Sequence, residues 1–524
     1  MSLPRLIHSR ESSLSVSHRY NLSHSISGAR SHLLRLHNSV SFDGHRGCVN
    51  TAQWTDSGGH IITGSDDLFI CIHASAQPPQ EGLRVSSPIV RWRSIDRANV
   101  FSAKLLGASL VNESNSLVSC GRDGLVVMHL LRNGTLDSSR IISRHRGSAS
   151  RISVEPSSNN EHFASAGEDG KVFIFDTRQG AAEGDLISQV FTLKCERGRS
   201  QAPIAIRAIA HRPSAPHEIL VAGEERPVVQ GAPVRIFDVR NLSLPVATII
   251  AGRAIGSFVT GADWSHDGQR LVVTVNDEDS HVFDFGEAGA RILDDDCIRV
   301  FSGLEERRMW PPPDSPPGAA SNPRAPAAST PSSATLRGHR NHLTIKNCAF
   351  YGPRSEYVLQ GCDTGRLIIY DAANGRVVTA FVADRDGPPN NIAPHPRGLP
   401  FILTSGIENR ARLWVPGPRR KDWTPRREKE FNELAEKLFA DRRNIFEGVD
   451  DDEEDEEMDV DDEFIMDLLR RGSVPDEEET EDGEDDNTDD DTSDTSDSND
   501  DEDSDDSVDD DEEDTGDDDA GDST

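Results

Sequence analysis

The property that most constrains how this chain can fold is that it repeats itself. Seven segments carry a tight turn with Gly, Asp or Asn between two short β-rich runs. In chain order they are HIITGSDDLFICIH (60–73), SLVSCGRDGLVVMHL (116–130), HFASAGEDGKVFIFD (162–176), EILVAGEERPVVQGAPVRIFD (218–238), RLVVTVNDEDSHVFDF (270–285), YVLQGCDTGRLIIYD (357–371) and FILTSGIENRARLWV (401–415). Upstream runs such as CVNTAQWTDSGG (48–59), SFVTGADWSHDG (257–268) and TIKNCAFYGP (344–353) alternate apolar and polar residues. Alternation with period two, bounded by turn formers, predicts half-buried antiparallel strands joined by hairpins. The chain is therefore expected to be all-β.

Units of roughly 40 residues with Gly-His near their start (Gly44-His45, Gly338-His339) resemble the WD-repeat β-propeller. Phe175-Asp176, Phe237-Asp238 and Tyr370-Asp371 stand where that repeat has Trp-Asp. A seven-bladed WD-repeat β-propeller over 37–416 is the expected fold class. The closing strand should come from 37–44, since an open sheet edge invites aggregation. Residues 310–335 hold eight prolines and no strand pattern, and are read as a disordered loop between blades five and six. Smaller excursions are expected at 74–98 and 180–202. Residues 1–36 form an N-terminal segment and 417–448 a basic stretch with a helix. In the latter, Phe431, Leu434, Leu438 and Phe439 recur at helical spacing over Pro425–Phe446.

Charge divides the chain again. Residues 450–524 hold 43 Asp and Glu against Arg470 and Arg471, leaving 53 basic and 48 acidic side chains in 1–449, a balance of −41 beside +5. The region 449–524 cannot bury enough apolar surface to offset chain entropy and is read as a disordered acidic tail. By its sign it excludes direct nucleic-acid binding through the tail, and it suits basic partners such as histones. Within it Phe464, Ile465, Leu468 and Leu469 lie at helical spacing, a candidate recognition helix. No run of ~18 apolar residues is present, so no membrane partner is expected. Seven scattered cysteines without CxxC spacing argue against a disulfide framework or a zinc site. The clusters in PRRKDWTPRREK (418–429) resemble a bipartite nuclear signal, so nuclear or cytoplasmic residence is expected.

Catalytic patterns are missing from the sequence: no GxSxG, HExxH or phosphate-binding glycine loop occurs. No cofactor, metal or enzymatic activity is expected. His45, His145 and His339 sit near blade starts, where hydrogen bonding inside the blade is expected. Asp66 or Asp67, Asp123, Asp169 and Asp363 sit in hairpin turns, where a carboxylate can accept backbone N–H groups.

One local feature departs from a generic propeller. Blades three and four end in FIFDTR (173–178) and VRIFDVR (234–240), an Asp-x-Arg tripeptide after the third strand of each. Asp176 with Arg178 and Asp238 with Arg240 would place two guanidiniums on one face, a paired cationic site able to contact carboxylates or carbonyls. The competing reading is that each Arg pairs with its own Asp.

Doubled Asp-x-Arg ends resemble the box of WD-repeat substrate receptors of the cullin-four RING ubiquitin ligases. GHRGCVN (44–50), RANVFSAKLLG (97–107), TIKNCAFYGPRSEYVLQGCDTG (344–365) and SGIENRARLWVP (405–416) are similar in order and spacing to DDB- and cullin-four-associated factors, most of all the five-type branch. The resemblance implies a non-enzymatic receptor. Its Asp176, Arg178, Asp238 and Arg240 would contact the DDB adaptor of the cullin-four RING core, and it would present a protein substrate not named by the sequence. It also implies a short adaptor-binding helix before the propeller, matched by Leu3, Leu6, Ile7 and Arg10. Phe stands in these boxes where the family prefers Trp. The alternative is an acidic-tailed WD-repeat histone-binding or chromatin scaffold without a ligase link.

Overall fold

A computed structural model of the chain describes residues 28–75, 84–107, 114–156, 161–178, 186–197, 200–225, 230–285, 298–302 and 332–417. Seven antiparallel sheets surround a central channel. Their innermost strands are Val49–Trp54, Val100–Leu106, Ala149–Val154, Ala205–Arg212, Val259–Trp264, Cys348–Tyr351 and Asn391–Pro394. Each packs on the next and the seventh on the first, so the ring closes. Strands are lettered a to d outward from the channel. The upper face carries the b–c turns and the connections between blades; the lower face carries the a–b and c–d turns.

Packing explains why the b and c strands read as nearly unbroken apolar runs. Seven hydrophobic clusters occur, and each lies between two neighbouring blades. Both sides of a middle strand are then dry. In Lys171–Asp176 only Lys171 escapes full burial. Leu271, Val273 and Val275 face blade four while Val272 faces blade six.

The closing strand is Leu36–Phe42, paired antiparallel with Ala411–Pro416 so that Leu36 lies opposite Pro416 and Phe42 opposite Ala411. Val40 and Phe42 are buried with Phe401, Leu413 and Val415 of blade seven and with Val49 and Ile61 of blade one. Arg84–Ser86 then adds a short parallel strand outside it, which covers the last edge. A one-turn helix, Arg30–Leu33, precedes the strand and drives Leu33 between blades six and seven.

Three loop expectations are corrected. The proline-rich insertion lies inside blade five, between its c strand Ser280–Asp284 and its d strand Ala334–Leu336, and not between blades five and six. Its last residues are ordered, with Val282 opposite Ala334 and Ser280 opposite Leu336; three strand residues are too few to display a period. Downstream of that c strand, Ile298–Ser302 pairs with Ile187–Arg197 on the outside of blade three. The excursions at 74–98 and 180–202 likewise contain the d strands Val90–Arg93 and Ile187–Arg197.

The blade-start histidines behave in two ways. His45 bonds Asp67 at 3.1 Å and Thr63 at 2.7 Å, and His145 bonds Asp169 and Ser165 at 2.9 Å, all within one blade. His339 instead bridges Ser280 of blade five and Tyr370 of blade six, both at 3.2 Å. Blade six has Gln360 where Thr63 and Ser165 stand, and Thr364 where Asp67 and Asp169 stand, so the inward partners are missing. The turn aspartates accept backbone N–H groups as expected, Asp67 from Arg46 and Phe69 at 3.0 Å each.

Candidate protein-docking site

Strand register brings both Asp-x-Arg boxes to equivalent points of the lower face. Asp176 ends the c strand of blade three opposite His162, and Asp238 ends the c strand Gln230–Asp238 of blade four opposite Glu218. In blade three the backbone N–H and Nε of Arg178 donate to Asp176 Oδ1 at 3.0 Å, and NH2 donates to Oδ2 at 3.0 Å. Blade four repeats this: Arg240 donates from N and Nε to Asp238 Oδ1 at 2.9 Å and from NH2 to Oδ2 at 2.7 Å. Each arginine thus folds back on its own aspartate as a planar fork. The guanidinium hydrogen bonds from Arg178 hold the Asp176 carboxyl well below the usual carboxylate range, and Arg240 lowers Asp238 to about 2.

The expectation of a paired cationic site is therefore revised. Each Asp-x-Arg tripeptide is an ion pair with a fixed donor end, Arg178 having Glu161 as a second acidic neighbour 3.5 Å from Nε, because Nε and NH2 are committed and NH1 makes no hydrogen bond among the described residues. The arginine side chains remain 57% and 65% exposed. A pre-oriented fork loses little side-chain entropy when NH1 donates to a partner carbonyl or carboxylate.

The surroundings were not legible as a site. Arg178 NH2 donates to His162 Nε2 at 3.0 Å, and His162 Nδ1–H donates to Glu155 at 2.8 Å, extending the blade-three box into a chain of polar groups. Directly after Arg240, the c–d connection exposes Leu244 (69%) and Val246 (41%), while Val239 and Leu242 anchor it to the core. Two exposed apolar side chains four and six residues after Arg240 add apolar area to a face that carries an arginine, a residue type enriched at interfaces. The sequence signal is the apolar residues of NLSLPV (241–246), directly after the second box. The other candidate residues, Leu3, Leu6, Ile7 and Arg10 at one end and Phe464, Ile465, Leu468 and Leu469 at the other, lie outside the described residues, as do the helix at 425–446 and the acidic tail.

The central channel holds a cavity of about 580 Å³ lined by Lys104, Arg151, His211, Asp263 and Cys348 among others. Lys104 donates to Gln53 Oε1 at 2.5 Å, and burial, then the nearby Arg151 charge, pushes it down to about 8. Burial lowers His211 to about 4 and raises the Cys348 thiol far out of the thiolate range. Among the described residues no group of three His, Cys, Asp or Glu could hold a metal ion, and no helix is long and apolar enough to cross a membrane.

Seven blades in a closed ring, with a histidine–aspartate–hydroxyl network in blades one and three, define the fold class, a seven-bladed WD-repeat β-propeller. The family described as WD domain, G-beta repeat matches residues 36–73 and 137–176. Each match starts on the outer strand of one sheet and ends on the c strand of the next blade, so the sequence repeat is offset from the blade by one strand. More particularly, the chain is 28% identical over 285 residues to DDB1- and CUL4-associated factor 6 of Mus musculus and of Homo sapiens, covering 51% of this chain and 30% of each of those proteins. It is also 29% identical over 141 residues to Protein hir1 of Aspergillus fumigatus, 26% of this chain and 13% of that one. The chain thus spans less than a third of the length of these relatives. The resemblance to DDB- and cullin-four-associated factors read from the motifs holds at the level of the group.

Proposed function

We propose that this protein is the substrate-recognition subunit of a cullin-four RING ubiquitin ligase, of the five-type branch, and docks on the DDB adaptor through Asp176, Arg178, Asp238 and Arg240. It works as a scaffold, holding a protein substrate near the ligase core without chemistry of its own. The observation that carries the reading is the same three-bond fork on two adjacent blades, exposed at the lower face beside Leu244 and Val246. The similarity to DDB1- and CUL4-associated factor 6 supports it.

Binding of the purified adaptor to the full chain tests this directly. The Arg178→Ala, Arg240→Ala double variant should lose ~10-fold or more in affinity, as expected for two interface arginines. A double variant that binds as well as the parent sinks the docking mechanism.

A second reading, a histone-binding chromatin scaffold in the nucleus, is favoured by the similarity to Protein hir1 and by the −41 balance of residues 450–524.

A further inference from the structure

Opposite the Asp-x-Arg boxes, the upper face gathers five arginines in the sector around blade two. Arg93 ends the d strand of blade one, and Arg97 lies in the connection to blade two. Arg122 sits in the b–c turn of blade two, Arg144 ends its d strand Thr135–Arg144, and Arg146 lies in the connection to blade three. All five are exposed, and none makes an ion pair among the described residues. Some arginines of this face are matched, Arg207 with Glu168 and Glu224, Arg337 with Asp279 and Arg412 with Glu408, whereas Arg46, Arg340, Arg385 and Arg410 are exposed singly at other connections and turns.

The backbone holds the sector together. Arg122 N–H donates to Asn99 O at 2.9 Å, and His145 N–H donates to Gly124 O at 2.8 Å. Asp123 is spent on backbone, accepting from Arg97 N–H at 2.7 Å and Leu125 N–H at 3.0 Å. The approach is so close that a Cβ on Gly121 would stand 2.3 Å from Asn99 O, and one on Gly124 would stand 2.4 Å from Gly147 O. The blade-two turn is therefore wedged between the two neighbouring connections. Arg122, Arg144 and Arg146 converge on one open depression of about 560 Å³, whose single carboxylate is Asp123.

We propose that this depression binds a phosphoserine or phosphothreonine within a protein segment. Guanidinium forks match phosphate oxygens, and a phosphate at neutral pH brings nearly two charges and three acceptor oxygens, more than one carboxylate offers to three arginines. A nucleic acid fits less well, because the patch is about one blade wide. Across the same face Asp277 is 50% exposed, so an extended polyanion would meet like charge there. The site deepens the receptor reading by giving the class of segment presented, yet binding is measurable without the adaptor, so the two stand or fall separately.

The probe is an array of peptides with a fixed central phosphoserine or phosphothreonine and random flanks, beside unphosphorylated twins and a 20-base-pair DNA duplex, incubated with the full chain at ~150 mM salt. Phosphorylated members should be retained ~10-fold or more above their twins, since each charge-assisted hydrogen bond to phosphate is worth about that factor. Arg122→Ala, Arg146→Ala should remove this selectivity while leaving the melting temperature and adaptor binding at parental values. Arg122→Lys, which keeps charge but loses the fork, should retain an intermediate level. Equal retention of phosphorylated and plain peptides overturns the proposal. So does binding of the duplex in place of phosphopeptides when the same double substitution abolishes it, which would assign the patch to nucleic acid.

Discussion

At the scale of single residues, the interior polar groups form relays whose protonation states follow from their donors. The Trp92 indole, which can only donate, points at His129 Nδ1 at 3.4 Å. That nitrogen must carry a lone pair, so the Nε2 proton faces Ser119 at 2.9 Å, and Ser119 in turn donates to Asp96 at 3.3 Å. Burial raises Asp96 to about 6, and its Oδ1 has no hydrogen-bond partner. Burial holds His73, His129, His211 and His339 down to about 4. For these histidines the native state refuses protons that the unfolded chain accepts below ~6.5, so stability falls as pH drops from there towards 4. Asp96 acts in the other sense, adding stability as pH falls from about 6 to its unfolded value. Burial also lowers His60 and His281 and raises Asp263 and Asp384, so six histidines stand against three aspartates among the described residues, which at ~1.4 kcal/mol per proton per pH unit predicts a net loss of stability across that window. Scanning fluorimetry between pH 7.5 and 4.5 should show a melting temperature that declines steadily below ~6.5; a flat or rising curve contradicts the assignment. Sequence alone placed His45 and His145 correctly because Asp and Ser or Thr stand at the spacing the hydrogen bonds need. For His339 it anticipated the bond inside the blade, which goes to Tyr370, and missed Ser280, because a relay that crosses between blades leaves no local pattern.

At the scale of elements, legibility followed how much of a strand's burial repeats along the chain. The b–c hairpins were readable in all seven units because both strands are dry and a fixed turn joins them. The d strands were not, since one side faces solvent and their connections vary: Ala334–Leu336 emerges from a proline-rich stretch, and Val90–Arg93 follows an excursion. The closing strand was legible for a different reason, the topological need to cover an edge. Its weight can be measured within one element. Phe42, 1% exposed, packs against His73 with ring centroids 5.2 Å apart and fills the seam between blades seven and one. Phe42→Ala should cost about 3–5 kcal/mol, read as a large drop in melting temperature or in soluble yield. On the same strand His37 is exposed, and His37→Ala should stay within about 0.5 kcal/mol. Equal effects of the two would mean that the strand does not seal the ring as described.

At the scale of the whole molecule, charge is distributed by level. The net −36 comprises +5 over residues 1–449 and −41 over 450–524. On the propeller, Arg178 and Arg240 of the lower face are paired with Asp176 and Asp238, while Arg122, Arg144 and Arg146 gather at one depression above with no ion pair among the described residues. Such a grouping cannot be read along the chain. Arg97, Arg122 and Arg146 come from different connections and meet only once the blades are stacked, whereas the Asp-x-Arg tripeptides are local and were visible at once. The acidic region is visible in composition, and composition predicts what it does electrostatically. If it attracts basic proteins, the attraction runs through many weak, screened contacts, and the Debye length shrinks from ~10 Å at 0.1 M salt to ~6 Å at 0.3 M. Binding of purified histone H3–H4 to the full chain should then weaken ~10-fold or more between 0.1 and 0.3 M NaCl, and should vanish in a chain ending at residue 449. Adaptor binding by that shortened chain should remain within about twofold of the parent, because the forks of Arg178 and Arg240 are set by their own blades. Histone binding that survives the truncation would move the basic-partner function onto the propeller. Adaptor binding lost with the truncation would show that residues 450–524, and not the two arginine forks, make the decisive contact.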